Sequence, residues 1–268
     1  MECNPRPRGP GRWSAKCPVH DDRRPSLAVE VGRRVEFVAR CFAGCTFEDI
    51  LAHVERREAP IAIPTPEPES LPSAITLEAY EAALTPDVAK AVEGARGWTH
   101  GTMQAFGIGY HSRSLTIPMY ERGELVNVGR YRPGSGKVIG LRGRRKPLYH
   151  ASVLGALPNV PLWIVEGEPD VLSAFQLGVW AVGVPGVNNW RYEAAQRFQR
   201  RRVRICMDCD RPGREAAYRI FMDLAGVAAD VKVIDLYPER DDGYDLTDLL
   251  RENDLAEARA YVRWLTEH

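Results

Sequence analysis

Three carboxylates stand at positions where chemistry can use them. Glu166 closes the apolar run Leu-Trp-Ile-Val, and Asp208 and Asp210 close Val-Arg-Ile-Cys-Met as Asp-Cys-Asp. If both runs are strands of one parallel sheet, these acids converge beyond the strands' carboxyl ends, where open α/β sheets collect ligands. Acids so placed repel one another unless a cation joins them. Mg²⁺ or Mn²⁺ suits hard oxygen donors and keeps coordination positions for water and phosphate. The chemistry this favours is phosphoryl transfer, in which the metal acidifies the attacking hydroxyl and neutralises the pyrophosphate leaving group.

A second set lies near the N-terminus. Cys17-Pro-Val-His20 and Cys41-Phe-Ala-Gly-Cys45 are two turn-sized knuckles, separated by segments that read as the two strands of a hairpin, DDRRPSLAVEV and RVEFVAR. The hairpin brings the knuckles to one end and closes a tetrahedral Zn²⁺ site on Cys17, His20, Cys41 and Cys45. A disulfide is the competing reading, and a histidine in the set argues against it. Cys3 falls outside either knuckle and is expected to be a free thiol.

The elements that must position these groups follow from hydrophobic pattern and punctuation. Ala59 to Ser73 carries five prolines without periodicity and is expected to be a linker between the cysteine head and the rest. Residues Leu77 to Glu93 read as helix, and SLTIPMY and ELVNVGRY as strands around the turn ERGE. From Leu162 strands and helices alternate: LWIVEG, then helix PDVLSAFQLG, strand VWAVGVPG, helix WRYEAAQRFQR, strand VRICMD, helix GREAAYRIFMDLAG and strand VKVIDL. Such alternation implies a parallel sheet covered on both faces. The expected fold class is α/β: a zinc ribbon over residues 1–58, a linker over 59–73, a mixed α+β basic subdomain over 74–160 and an α/β domain with a parallel central sheet over 161–268.

Composition sets the outer limits. The chain has 268 residues, with 44% hydrophobic and 27% charged residues, and no stretch long enough to cross a bilayer. MECNPRPRGPGRW has basic residues but no following apolar run, so it does not read as a secretory signal, and a cytoplasmic protein is expected. Net charge is zero, yet Arg122, Arg130, Arg132, Lys137, Arg142, Arg144, Arg145 and Lys146 cluster against only Glu124, while Asp235 to Glu257 is rich in carboxylates. The basic run suits a polyanion and the acids a divalent metal. Two other patterns are set aside. Cys206-Met-Asp-Cys209 straddles a candidate metal ligand at a strand end instead of opening a helix, so it reads as core. GSGKV lacks the first glycine of a phosphate loop and has valine after Lys137, so no helicase-type ATPase is visible.

The stretches CPVHDDRRPSLAV and RCFAGCTFEDIL resemble the N-terminal zinc ribbon of bacterial and phage primases, and VEGEPDVLSA, DCDRPGREAA and RDDGYDLTDLL resemble the acidic motifs of their Toprim domain. The basic middle resembles the subdomain that precedes Toprim in that family. The three-residue spacing of the second knuckle is closer to phage and mobile-element relatives. The resemblance implies a DNA-dependent RNA primase that makes short primers from ribonucleoside triphosphates on single-stranded DNA, in the cytoplasm of a bacterial host, with a replicative helicase acting in trans. It assigns Glu166, Asp208 and Asp210 to catalysis and Mg²⁺ or Mn²⁺, with Asp245 and Asp248 contributing, and gives Glu168 and Asp170 less defined roles. It assigns Arg130, Arg132, Lys137 and Lys146 to template and nucleotide, and Arg142, Arg144 and Arg145 to the nucleic-acid backbone. The alternatives are a Toprim-type nuclease, which would lack a template-reading ribbon, and a non-catalytic replisome DNA-binding protein, against which the intact acids argue.

Overall fold

The computed structural model describes residues 3–22, 24–32, 37–55, 67–157, 159–186 and 189–267. The chain divides into two units, Met1–Thr65 and Pro66–His268. Of the stretch read as a linker, residues 59–66 lie outside the described residues. Residues 67–73 belong to the second unit, in which the Glu69 N–H donates to the Arg142 carbonyl at 2.9 Å and the Arg142 N–H to the Glu69 carboxylate at 3.2 Å.

In the first unit β1 (Arg6–Gly9), β2 (Arg12–Ala15), β3 (Leu27–Val31) and β4 (Phe37–Cys41) form an antiparallel sheet in sequence order, and α1 (Phe47–Glu55) follows. Only the last two strands are legible in the hydrophobic pattern. β1 is Arg-Pro-Arg-Gly, exposed throughout, and is held as an edge hairpin that turns through Gly11 at φ 67°. The apolar core is small: Ala15, Cys17, Leu27, Ala39, Cys41 and Ile50. Thr46 caps α1, its hydroxyl accepting from the Asp49 N–H at 3.2 Å and donating to the Asp49 carboxylate at 2.7 Å.

The second unit opens with α2 (Ala74–Ala82), α3 (Pro86–Arg96) and α4 (His100–Ala105). The single helix expected over Leu77 to Glu93 is therefore two. Thr85 caps a new start with Pro86 in the first turn, where a proline is tolerated but could not continue the preceding helix. Next, β5 (Gly109–His111), β6 (Ser114–Glu121), β7 (Glu124–Tyr131) and β8 (Val138–Ile139) form an antiparallel sheet in that order. Arg122 and Gly123 both take positive φ in the β6–β7 turn. A short α5 (Val153–Ala156) leads into the α/β layer.

There, β9 (Leu162–Val165), α6 (Glu168–Leu177), β10 (Trp180–Gly183), α7 (Tyr192–Ala195), β11 (Arg202–Ile205), α8 (Arg211–Leu224), β12 (Asp230–Val233), α9 (Leu246–Glu252) and α10 (Leu255–Glu267) follow in turn. All strand pairs are parallel, in the order β10-β9-β11-β12. WRYEAAQRFQR yields only α7 and a 3-10 turn over Gln196–Phe198. Arg191 offers no side-chain cap, and Phe198 is fully buried. β9 shows why its sequence is continuously apolar: Trp163 and Val165 join one core cluster, Leu162 and Ile164 the other, so both faces are covered. The first cluster also takes in Trp98, Met103, Leu115, Ile117 and Tyr131, which ties the antiparallel sheet and the α/β layer together. Among the described residues no helix is long and apolar enough to cross a membrane.

Candidate metal centres and nucleic-acid interface

The chain leaves β9 toward β10 on one side and later lays β11 on the other, so the loops after β9 and β11 begin side by side where strand order reverses. Glu166 sits directly after β9. Asp208 and Asp210 lie in the loop between β11 and α8, a little beyond the strand end that the sequence implied. Asp210 caps α8, its carboxylate accepting from the Gly213 N–H at 2.7 Å. Gly213 is required by close approach: a Cβ there would lie 2.3 Å from the Asp208 carbonyl oxygen. Asp245 caps α9 by accepting from the Asp248 N–H at 2.8 Å. The loop leading to it is held by Arg214, which pairs with Asp235 at 2.8 Å and donates to the carbonyls of Tyr237 and Arg240 at 3.3 and 2.7 Å.

Carboxylate oxygens of Asp170, Asp208 and Asp245 lie within 4.8 Å of one another. This trio differs from the one the sequence put first. Asp208 is common to both, Asp170 replaces Glu166, and Asp245 replaces Asp210. The signal for Asp170 was its place in the same Glu-Gly-Glu-Pro-Asp stretch as Glu166, on the first turn of α6. Glu166 stays coupled to the group. Burial and the charges of Asp210 and Asp245 push its carboxyl up to about 7, against an opposing hydrogen bond from the Asp208 backbone. Asp208 rises to about 9 through burial and then Glu166, Asp245 and Asp210. Asp170 and Asp245 are also raised, first by burial; Arg96 acts on Asp245 in the opposite direction. Asp248 lies at the rim and pairs with Arg251 at 3.1 Å. Tyr131 is fully buried, its hydroxyl has no hydrogen-bond partner among the described residues, and it is raised to about 12 by burial and by Asp245, Asp170 and Asp248, with Arg96 opposing. The Arg96 guanidinium lies over the Trp98 and Tyr131 rings at 5.4 and 5.6 Å.

A convergence of buried carboxyls that disfavour their own ionisation fits a divalent cation with oxygen ligands. It also has a consequence for stability. Unfolded carboxyls titrate near ~4, so above that pH the metal-free folded state binds more protons than the unfolded state. Stability of the metal-free chain then falls as pH rises toward the folded values of about 7 for Glu166 and about 9 for Asp208. Mn²⁺ is expected to raise the melting temperature little at pH 5 and by several degrees at pH 8, read by differential scanning fluorimetry. Equal shifts at both values would contradict the cluster.

In the first unit the ligand atoms of Cys17, His20, Cys41 and Cys45 also converge within 4.8 Å, and Cys3 is not among them. His20 Nδ1 faces the thiols, 3.2 Å from Cys45 Sγ and 3.9 Å from Cys41 Sγ. Its Nε2 is turned to Asp22 at 3.5 Å, the arrangement that orients a metal-bound imidazole. Asp22 in turn accepts from the N–H groups of Cys17 and Ser26 at 2.8 and 3.0 Å and from the Ser26 hydroxyl at 2.7 Å, which explains the HDDRRPS stretch. Burial pushes the Cys41 thiol up, but the N–H groups of Cys45 and Ala43 and the Ser26 hydroxyl outweigh it and bring it down to about 6. Cys45 rises to about 11 through burial and its neighbours Cys17 and Cys41. Three sulfurs and one imidazole in this arrangement fit Zn²⁺. On the outer face of the ribbon sheet, register sets Arg6, Ser14, Ala28 and Arg40 in one row. Arg12 pairs with Glu30 on the same face at 2.9 Å. Phe42 is 71% exposed with the Arg40 guanidinium 5.6 Å from its ring centre. The sequence reading overlooked this ring because it lies inside the ligand knuckle.

The basic run is only partly available to a ligand. Arg130, Lys137 and Arg142 are exposed, and Arg132, also exposed, donates to Ser114 at 3.3 Å. Arg144 donates to the Glu69 carbonyl at 2.5 Å, and Arg145 makes a two-pronged pair with Glu121. Lys146 donates to the Val138 carbonyl at 2.8 Å. It also stands 3.1 Å from an oxygen of the buried Glu168 that has no aligned hydrogen bond. Tyr149, Cys206 and Cys209 are buried, and both thiols are free.

A parallel sheet with acids gathered past its strand ends defines the α/β part of the second unit, and residues 163–250 match the family described as Toprim-like. Over 53% of its length the chain is 27% identical to the DNA primase of Geobacillus stearothermophilus, of which it spans about a third (32%). The fold is shared with the zinc-binding and RNA polymerase domains of Aquifex aeolicus primase (TM-score 0.55, 19% identity, 98% of this chain and 80% of that one). It is shared also with a DNA primase domain from Pseudomonas aeruginosa (TM-score 0.54, 20% identity, 71% and 76%). The mixed α/β architecture with an N-terminal Cys-His-Cys-Cys cluster thus matches the fold of the zinc-binding and RNA polymerase domains of the Aquifex aeolicus primase.

Proposed function

We propose that the chain is a DNA primase that builds short oligoribonucleotides on single-stranded DNA from ribonucleoside triphosphates. The observation that carries this reading is the convergence of Asp170, Asp208 and Asp245 beside Glu166 at the strand ends of a Toprim-like domain. Similarity to a DNA primase, and the presence of a metal-ribbon unit in the same chain, favour synthesis over cleavage.

In this reading Asp208, Asp170 and Asp245 hold Mg²⁺ or Mn²⁺, with Asp210 and Asp248 contributing at the rim. The metal, when bound, would acidify the attacking 3′-hydroxyl and neutralise charge on the pyrophosphate. Glu166, its carboxyl near 7, accepts the hydroxyl proton. Arg130, Arg132, Lys137 and Arg142 meet phosphates of template and nucleotide. Lys146 turns from Glu168 toward the incoming triphosphate, while Arg144 and Arg145 chiefly hold the basic sheet together. Cys17, His20, Cys41 and Cys45 hold a structural Zn²⁺ that stiffens the ribbon, whose Phe42 and Arg40 stack on template bases. A replicative helicase acts in trans, in the cytoplasm of a bacterial host.

The test is incorporation of labelled ribonucleotides on defined single-stranded templates with Mg²⁺ or Mn²⁺, resolved on a gel. Short labelled products are expected from the native chain. Glu166→Gln should lose about 10²–10⁴-fold, the range for a general base. No labelled product from the native chain would overturn the reading.

A further inference from the structure

A chain of four side chains runs through the interior and ends on one of the clustered carboxylates. Trp98, on the loop between α3 and α4, donates from Nε1 to Ser173 Oγ at 2.8 Å. Ser173 Oγ on α6 lies 2.9 Å from Thr247 Oγ1 on α9, and Thr247 Oγ1 lies 3.2 Å from Asp170 Oδ1. Trp98 and Ser173 are fully buried, Thr247 is 1% exposed and Asp170 6%. Among the described residues neither hydroxyl has another hydrogen-bond partner.

Chemistry gives this relay a direction. An indole N–H can only donate, so Ser173 must accept from Trp98 and spend its own hydrogen on Thr247. Thr247, accepting that hydrogen, has its single hydrogen left for Asp170. The carboxylate oxygen is thereby fixed as an acceptor, which restrains rotation of the carboxylate about the Cβ–Cγ bond. The three elements that carry the relay, the α3–α4 loop, α6 and α9, all pack into one core cluster, so the geometry is enforced by burial as well as by hydrogen bonds. None of these hydroxyls was legible as functional: Ser173 reads as a buried helix position and Thr247 as a residue inside an acidic stretch.

We propose that Thr247 is a positioning residue that orients Asp170 toward a divalent cation, with Ser173 and Trp98 imposing the direction of its hydrogen bond. The proposal rests on the metal reading of the acid cluster given above. Partners that orient metal ligands from behind are worth about 10–100-fold in metal affinity when removed.

The experiment measures Mn²⁺ binding to the zinc-loaded full chain by electron paramagnetic resonance, without template or nucleotide, and uses Asp208→Ala to identify the cluster's share of the signal. Thr247→Val keeps the shape, removes the hydroxyl and is expected to weaken that binding by about 10–100-fold. Thr247→Ser, which restores the hydroxyl, should return it to near the native value, which lost packing alone would not do. Ser173→Ala frees the Thr247 hydrogen from its imposed direction and is expected to give a smaller weakening of the same sign. It also serves as the second variant should the valine fail to fold. Native Mn²⁺ affinity in folded Thr247→Val or, if that chain does not fold, in Ser173→Ala would overturn the proposal while leaving the metal site intact. Absence of an Asp208-dependent Mn²⁺ signal in the native chain would overturn both.

Discussion

Asp208→Ala is expected to abolish ribonucleotide incorporation, by at least ~10²–10³-fold, the loss typical when one preorganised charge-stabilising group is deleted. The chain should nevertheless stay folded. Asp208 belongs to the converging trio and is pushed up to about 9 by burial and by Glu166, Asp245 and Asp210. It therefore opposes the metal-free fold above the usual carboxylate range, and its removal relieves the other acids. The expected signature is lost activity with a melting temperature, measured without divalent metal at pH 8, equal to or above that of the native chain. A large drop in that temperature would mean that Asp208 is a structural residue.

Removal of zinc should unfold the first unit and leave the second standing. Among the described residues the buried apolar core of the ribbon consists of six small or medium side chains. Binding of structural Zn²⁺ contributes roughly 10–16 kcal/mol in zinc modules of comparable kind, which exceeds what such a core can supply. Cys41→Ser or a strong chelator is expected to erase the ribbon's amide dispersion in NMR spectra while the α/β signals persist. Template binding should fall much further than nucleotide binding, because the acid cluster and the exposed basic side chains belong to the second unit. Phe42→Ala separates fold from contact. It keeps the ligands and the amide dispersion, and in this account loses part of the affinity for single-stranded DNA, since base stacking is worth ~1–3 kcal/mol per base. Equal loss of template and nucleotide binding in Cys41→Ser would contradict the division of labour.

What the sequence made legible, and what it hid, follows from the range of the interactions involved. The parallel layer was readable because short strands alternate with helices after Leu162 and because β9, buried on both faces, is apolar without interruption. The Cys-His-Cys-Cys cluster was readable because two local turns carry it. The arrangement of the acids was not. Asp170 lies on a helix, Asp208 in a loop and Asp245 at the cap of a distant helix, and the packing of α6 against α9 together with the pairing of β11 with β9 brings them together. Local chemistry also decided the errors in the elements: Thr85-Pro86 splits one expected helix into two, and the hairpin β1–β2 is held by backbone pairing that an Arg-Pro-Arg-Gly segment does not announce. The basic run reads as one patch in the sequence, yet Arg144, Arg145 and Lys146 are engaged by Glu69, Glu121 and Glu168, while Arg130, Arg132, Lys137 and Arg142 are exposed without a carboxylate partner shown for them among the described residues.

In the proposed function the carboxylates of the second unit join ribonucleotides instead of cutting DNA. Mass spectrometry of a reaction containing a defined single-stranded template, ribonucleoside triphosphates and Mn²⁺ tests it most directly. New oligoribonucleotides that carry a 5′-triphosphate and complement the template are expected, with the template itself intact. A shortened template and no new RNA would contradict it.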